Sequence, residues 1–174
     1  MLTIEDLLLP AGHHNRPGDS IHPKKIIIHR TGNPGSSATA NRDFFATTPE
    51  FASAHYCVDS QQIIRCIPEQ ERAHHCRGAN FDGIGIETCE PLTKLTYQNV
   101  LDLIADILLR YHWQPTTAYL QPHSKYDPLN RHYDPFNWDD YQAARCNPVQ
   151  DLFNPFTFYA DVKSQFLQQG GKLE

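Results

Sequence analysis

Apolar positions along this chain fall into a few patterns, and each predicts an element. Lys24–His29 reads KKIIIH, a β-branched run of the kind buried in the centre of a sheet, which sets His29 at a strand's carboxyl end. Gly83–Cys89 (GIGIETC) alternates and predicts a second strand that delivers Glu87 near its end. His55–Asp59 and Ile63–Pro68 flank Ser60–Gln62 as two strands of a hairpin, although the connection lacks the Asn-Gly signature. Thr117–Leu120 predicts a short strand that leads into the loop QPHSKYDPLNRHYDP. Helical spacing is clearest in Tyr97–Trp113, where Val100, Ile104, Ile107, Leu108 and Tyr111 recur three and four apart while Asp102, Asp106 and Arg110 share another face. A shorter helix, capped by Ser36 or Ser37 and running through about Ala46, follows the Gly/Pro-punctuated loop after His29. Another is predicted at Tyr159–Gln168.

Composition narrows the class of molecule. The 174 residues are 40 % hydrophobic and 20 % charged, a globular make-up in one domain, and at that length about two-thirds of the unfolded surface can be buried. Fifteen Lys and Arg against twenty Asp and Glu give a net charge of −5 with no basic run, so the electrostatic footprint of a nucleic-acid binder is missing. Leu7–Pro10 and Ile26–Ile28 are the longest apolar runs, far short of the ~20 residues of a membrane helix. Glu5 and Asp6 stand where a secretory signal would be basic, so the expectation is synthesis in the cytoplasm without a signal peptide. None of the five cysteines pairs at C-x-x-C spacing, which argues against a zinc knuckle and a full disulfide framework. They read as buried thiols, with Cys57 and Cys66 placed to face each other across the hairpin.

Ten histidines are the unusual feature, because imidazole is both the commonest metal ligand and the usual proton carrier near neutrality. His13, His14 and His22 sit in a polar turn-rich segment and His112 ends a helix, positions that suit structural or solvated roles. Three strands, by contrast, end at His29, at Glu87 and at the approach to His123, and open α/β sheets carry their sites at the carboxyl ends of strands. Two His and an acidic residue from separate loops make a three-ligand zinc site with an open position, although no H-E-x-x-H fixes the ligands by spacing.

The order of five blocks resembles the zinc-dependent N-acetylmuramoyl-L-alanine amidases of the type-2 amidase family, which share the peptidoglycan-recognition-protein fold and include many phage endolysins. The blocks are IIIHRTGNPG (Ile26–Gly35), SAHYCVD (Ser53–Asp59), IIRCIPEQERAHHCRG (Ile63–Gly78), GIGIETCE (Gly83–Glu90) and PHSKYDPLNRHYDP (Pro122–Pro135). The resemblance implies an α/β fold with a mixed central β-sheet flanked by helices, a family-like core over about 23–140 and a C-terminal packing extension over 141–174 of the same domain. It also implies zinc-dependent hydrolysis of the amide between N-acetylmuramic acid and L-alanine in peptidoglycan, in cell-wall lysis or turnover. The alternative is a non-catalytic peptidoglycan-binding module on the same fold, against which the retention of the site residues weighs.

Carried over by position, His29 and His123 resemble the first two zinc ligands, and Asp134, before Pro135, the third. The interval from His123 to Asp134 is longer than in shorter family versions and encloses Asp127-Pro128 as a rival. Glu87 occupies the place of the catalytic acid, with Glu90 as the spare; a carboxylate there takes a proton from water and returns it to the leaving amine. His132 stands where many members carry an oxyanion-stabilising Lys, as an imidazolium or as a neutral hydrogen-bond donor. His75 matches a substrate-contacting or oxyanion-side position, and His55 reads as a hydrogen-bonded core residue before it reads as a functional one.

Overall fold

A computed structural model describes residues 3–131 and 155–173. Among them, six strands form one mixed sheet: β1 (Ile4–Asp6), β2 (Lys25–Arg30), β3 (Tyr56–Val58), β4 (Ile63–Arg65), β5 (Gly83–Thr88) and β6 (Leu120–Pro122), in the order β1-β4-β3-β5-β2-β6. Only β3 and β4 pair antiparallel, as the predicted hairpin; the other neighbours run parallel. Among the described residues the helices are α1 (Ala38–Thr47), α2 (Lys94–Arg110) and α3 (Pro155–Gln168), and a 3-10 turn, His123–Lys125, follows β6.

Alternation along the strands divides the core in two. Ile26 and Ile28 of β2, Ile84 and Ile86 of β5, and Tyr56 and Val58 of β3 face α2, whose Val100, Leu101, Ile104, Ile107 and Leu108 are buried against them. Phe158, Val162 and Phe166 of α3 complete that cluster. Each such aliphatic side chain taken from water is worth about 1.5–3 kcal/mol, so this layer dominates the fold's stability. On the opposite face, Ala38 and Phe45 of α1 pack with Cys57, Ile64, Cys66 and Cys89. Ile27 sits beneath the loop that carries Cys76 and Ala79.

Local chemistry sets the helix ends. Ser37 Oγ accepts from Ala40 N–H at 3.1 Å and Asp59 Oδ2 from Ala38 N–H at 2.8 Å, which satisfies two orphan donors of α1. Thr93 Oγ1 caps α2 through Thr96 N–H at 3.1 Å, so the helix starts three residues before the predicted Tyr97. It also ends before Trp113: His112 takes a left-handed φ of 56°, and Trp113 stacks between Tyr111 and Tyr119 instead. The strand expected at Thr117–Leu120 begins at Leu120, and β1 was not anticipated. Cys57, Cys66 and Cys89 are buried free thiols, with 3.8 Å between the Cys57 and Cys66 sulfurs, and Cys76 is buried too; Cys146 lies outside the described residues. No helix among the described residues is long and apolar enough to cross a membrane.

Candidate active site

The parallel register of β2 and β5 sets His29 directly opposite Glu87. On the other flank of β2, Ile28 pairs with Pro122, so His123 stands one residue beyond the paired segment. Three side chains distant in sequence thereby meet at the carboxyl ends of adjacent strands. The His29 and His123 ring centroids are 4.6 Å apart with planes at 68°, and His29 Nδ1 lies 4.0 Å from Glu87 Oε1.

Behind this group the same face carries two more imidazoles. His29 Nε2 is 3.1 Å from His75 Nδ1, and His75 Nε2 is 3.1 Å from the Gly83 carbonyl oxygen. His55 closes the row, accepting from Gly85 N–H at Nδ1 and donating from Nε2 to the Glu71 carbonyl, both at 2.9 Å. Gly85 has to be glycine here, since a Cβ would stand 2.5 Å from Cγ of the His75 ring. His55 is therefore the core residue expected. His75, expected to touch substrate or the oxyanion, is buried with both ring nitrogens engaged inside the protein, so the geometry puts it behind His29.

Burial governs the charge of the row. It holds His29 and His75 well below the usual imidazole range, helped by the neighbouring imidazoles, and pushes His55 and His123 down to about 4. All four are neutral at pH 7, the form in which imidazole binds a metal. The Arg131 guanidinium also depresses both His29 and His123, a cation beside the site that the sequence reading passed over; its place next to the carried-over His132 was the available signal.

The two candidate general acids have different surroundings. Glu87 is half-buried facing His29, whereas Glu90 is bound by the Arg30 guanidinium. Asp127 Oδ1 accepts from Asn130 Nδ2 at 2.9 Å, and among the described residues no three of His, Cys, Asp and Glu converge on a metal position. His132 and Asp134 lie outside the described residues. The fit to zinc thus rests on two imidazoles, and chiefly on His29 Nδ1, a buried ring nitrogen with no hydrogen-bond partner among the described residues. Such an atom at a strand end, beside a second neutral imidazole, suits a divalent ion.

Neutral imidazoles and a carboxylate gathered at the ends of parallel strands are donors that suit a divalent ion and proton transfer. The sequence model of the N-acetylmuramoyl-L-alanine amidases matches residues 19–137, and the chain belongs to that family. Over 133 residues it is 31 % identical to the N-acetylmuramoyl-L-alanine amidase CwlL of Bacillus licheniformis, a match over 64 % of this chain and 37 % of that protein. To the amidase XlyA of Bacillus subtilis it is 33 % identical over 96 residues, 52 % of this chain and 32 % of the relative. The chain therefore spans well under half the length of these curated relatives. Among solved structures, the catalytic domain of XlyA shares the fold with a TM-score of 0.73 at 24 % identity, over 92 % of this chain and 99 % of that one. The Staphylococcus aureus hydrolase AmiA, solved with its ligand, gives 0.75 at 19 %, over 96 % and 84 %.

Proposed function

We propose that this chain hydrolyses the amide between N-acetylmuramic acid and L-alanine in the bacterial cell wall, as a zinc-dependent amidase of the endolysin type. The observation that carries the reading is the side-by-side register of His29 and Glu87 with His123 at the adjoining strand end, in a chain of this family. His29, His123 and Asp134 would hold the ion. Asp127 is the weaker claimant, since Asp134 before Pro135 fits the family's place for the third ligand. Bound there, zinc supplies Lewis acidity to the scissile carbonyl and to the attacking water.

Glu87, at the rim of the site with its side chain 15 % exposed, removes a proton from water and delivers it to the departing amine of L-alanine. His132 donates a hydrogen bond to the carbonyl oxygen as negative charge builds there. Packing of Phe158, Val162 and Phe166 against α2 supports reading the C-terminal segment as part of the same domain.

Digestion of purified peptidoglycan followed by mass spectrometry tests the proposal. The expected products are a free amino-terminal L-alanine on the stem peptide and an intact lactyl carboxylate on muramic acid. Sedimentation with peptidoglycan but no release of either product would instead identify a binding module.

A further inference from the structure

The hydrogen bonds behind the site carry a statement about protons. A carbonyl oxygen only accepts, so the 3.1 Å contact between His75 Nε2 and the Gly83 oxygen places the His75 proton on Nε2. Its Nδ1 is then a lone pair, and the contact at 3.1 Å requires His29 Nε2 to donate to it. In a neutral imidazole that leaves His29 Nδ1 bare, on the side of the ring that faces Glu87 and has no hydrogen-bond partner among the described residues. The 4.0 Å distance from Nδ1 to Glu87 Oε1 agrees, being too long for a hydrogen bond.

We propose that His75 is a positioning residue that fixes His29 in its Nε2–H tautomer and so presents the Nδ1 lone pair to the metal. The inference rests on the zinc reading above for its purpose, but not for its geometry. Metal-bound histidines are commonly oriented by a partner on their other nitrogen, usually a carboxylate or carbonyl. Here a second imidazole is interposed, and it relays the demand of the Gly83 carbonyl across β5 to β2. His55 and Gly85 hold the relay in place: His55 takes the Gly85 N–H, and the missing side chain at Gly85 is the space the His75 ring fills.

Three variants and one spectrum decide the matter. His75→Leu fills the volume without an acceptor, His75→Asn keeps an acceptor oxygen near the Nδ1 position, and Gly85→Ala pushes the ring aside without altering any proposed ligand. Zinc affinity, measured by chelator competition on variants whose circular dichroism matches the wild type, should fall about 10–100-fold in His75→Leu and Gly85→Ala. His75→Asn should recover most of that loss. Long-range 15N–1H correlation spectra of the metal-free wild type should show both His29 and His75 as Nε2–H tautomers. A His29 carrying its proton on Nδ1 overturns the inference, as does a folded His75→Leu that binds zinc within twofold of wild type or an equal loss in His75→Asn. A wild type that takes up no zinc overturns the ligand assignment instead, and the spectrum still decides the tautomer.

Discussion

Glu87 and Glu90 leave the end of β5 three residues apart, and their neighbours give them different work. Glu90 is neutralised by Arg30, while Glu87 faces His29 across the strand pair. Glu87→Gln should therefore lower turnover by roughly 10²–10⁴-fold with zinc content unchanged, because the amide keeps the shape but takes no proton. Glu90→Gln should leave turnover within a few-fold and cost about 1 kcal/mol of stability; parallel assays of turnover, zinc and melting separate the two. Metal analysis after dialysis checks the ligands: His29→Ala and His123→Ala should each empty the protein of zinc, and Asp134→Ala should lose more than Asp127→Ala. His29, Glu87 and His123 were legible in the sequence because strand ends and family blocks both mark them. The partnership of His29 with His75 was not, since no spacing rule joins residues brought together by a loop folding back over β2 and β5.

Between elements, a buried polar tie joins the segment after β4 to the last turn of α2. The buried Glu69 carboxylate accepts both terminal nitrogens of Arg110 and the Tyr56 hydroxyl, each at 2.7 Å. Burial alone would raise the Glu69 carboxyl, but hydrogen bonds from Arg110 and Tyr56 outweigh it and hold it below its ordinary range. The native state then gives up its proton at a lower pH than the unfolded chain, whose glutamates titrate near about 4.3. The stabilisation is whole above that value and is lost as pH falls through the depressed native one. Urea midpoints measured from pH 7 to pH 3 should drop steeply in the wild type and less steeply in Glu69→Gln, which starts about 1–3 kcal/mol less stable. Glu71, lowered by its hydrogen bond from Arg16, leaves a residual slope of the same sign. Elements with strong local signals, such as β2 and α2, were readable from side-chain pattern. β1 was not, because one half-buried and two exposed residues become a strand only by pairing with β4. β6 runs later than the predicted Thr117–Leu120 and includes Pro122, whose missing N–H is tolerated at a sheet edge.

Over the whole molecule, the two faces of the sheet divide stability from chemistry. The cluster running from Ile26 through α2 to Phe166 contains none of the site histidines, so stripping the metal should leave the fold intact. Circular dichroism after chelation should be unchanged while the melting temperature falls, and added zinc should restore it, contributing about 4 kcal/mol at a thousandfold excess over Kd. A melting temperature indifferent to zinc would mean that the folded chain does not hold the ion. Phe158→Ala should do the reverse, costing about 3–5 kcal/mol and lowering the midpoint with or without metal. The class of this architecture was readable through the family resemblance of the five sequence blocks. The strand order was not, because β1 joins the far edge and β2 lies between β5 and β6, arrangements that depend on contacts across most of the chain.

That strand order has a consequence in time. His29 sits on β2, its facing carboxylate arrives with β5, and His123 follows only after α2 has been made. Parallel pairs between such distant segments are slow to form, because the loops must close before any contact rewards them. As the chain leaves the ribosome, His29 therefore waits through the synthesis of six further elements, α1, β3, β4, β5, α2 and β6, before its second imidazole partner exists. On the zinc-dependent reading proposed above, the two imidazoles that would hold the ion come together only when β6 joins β2, late in the assembly of the sheet.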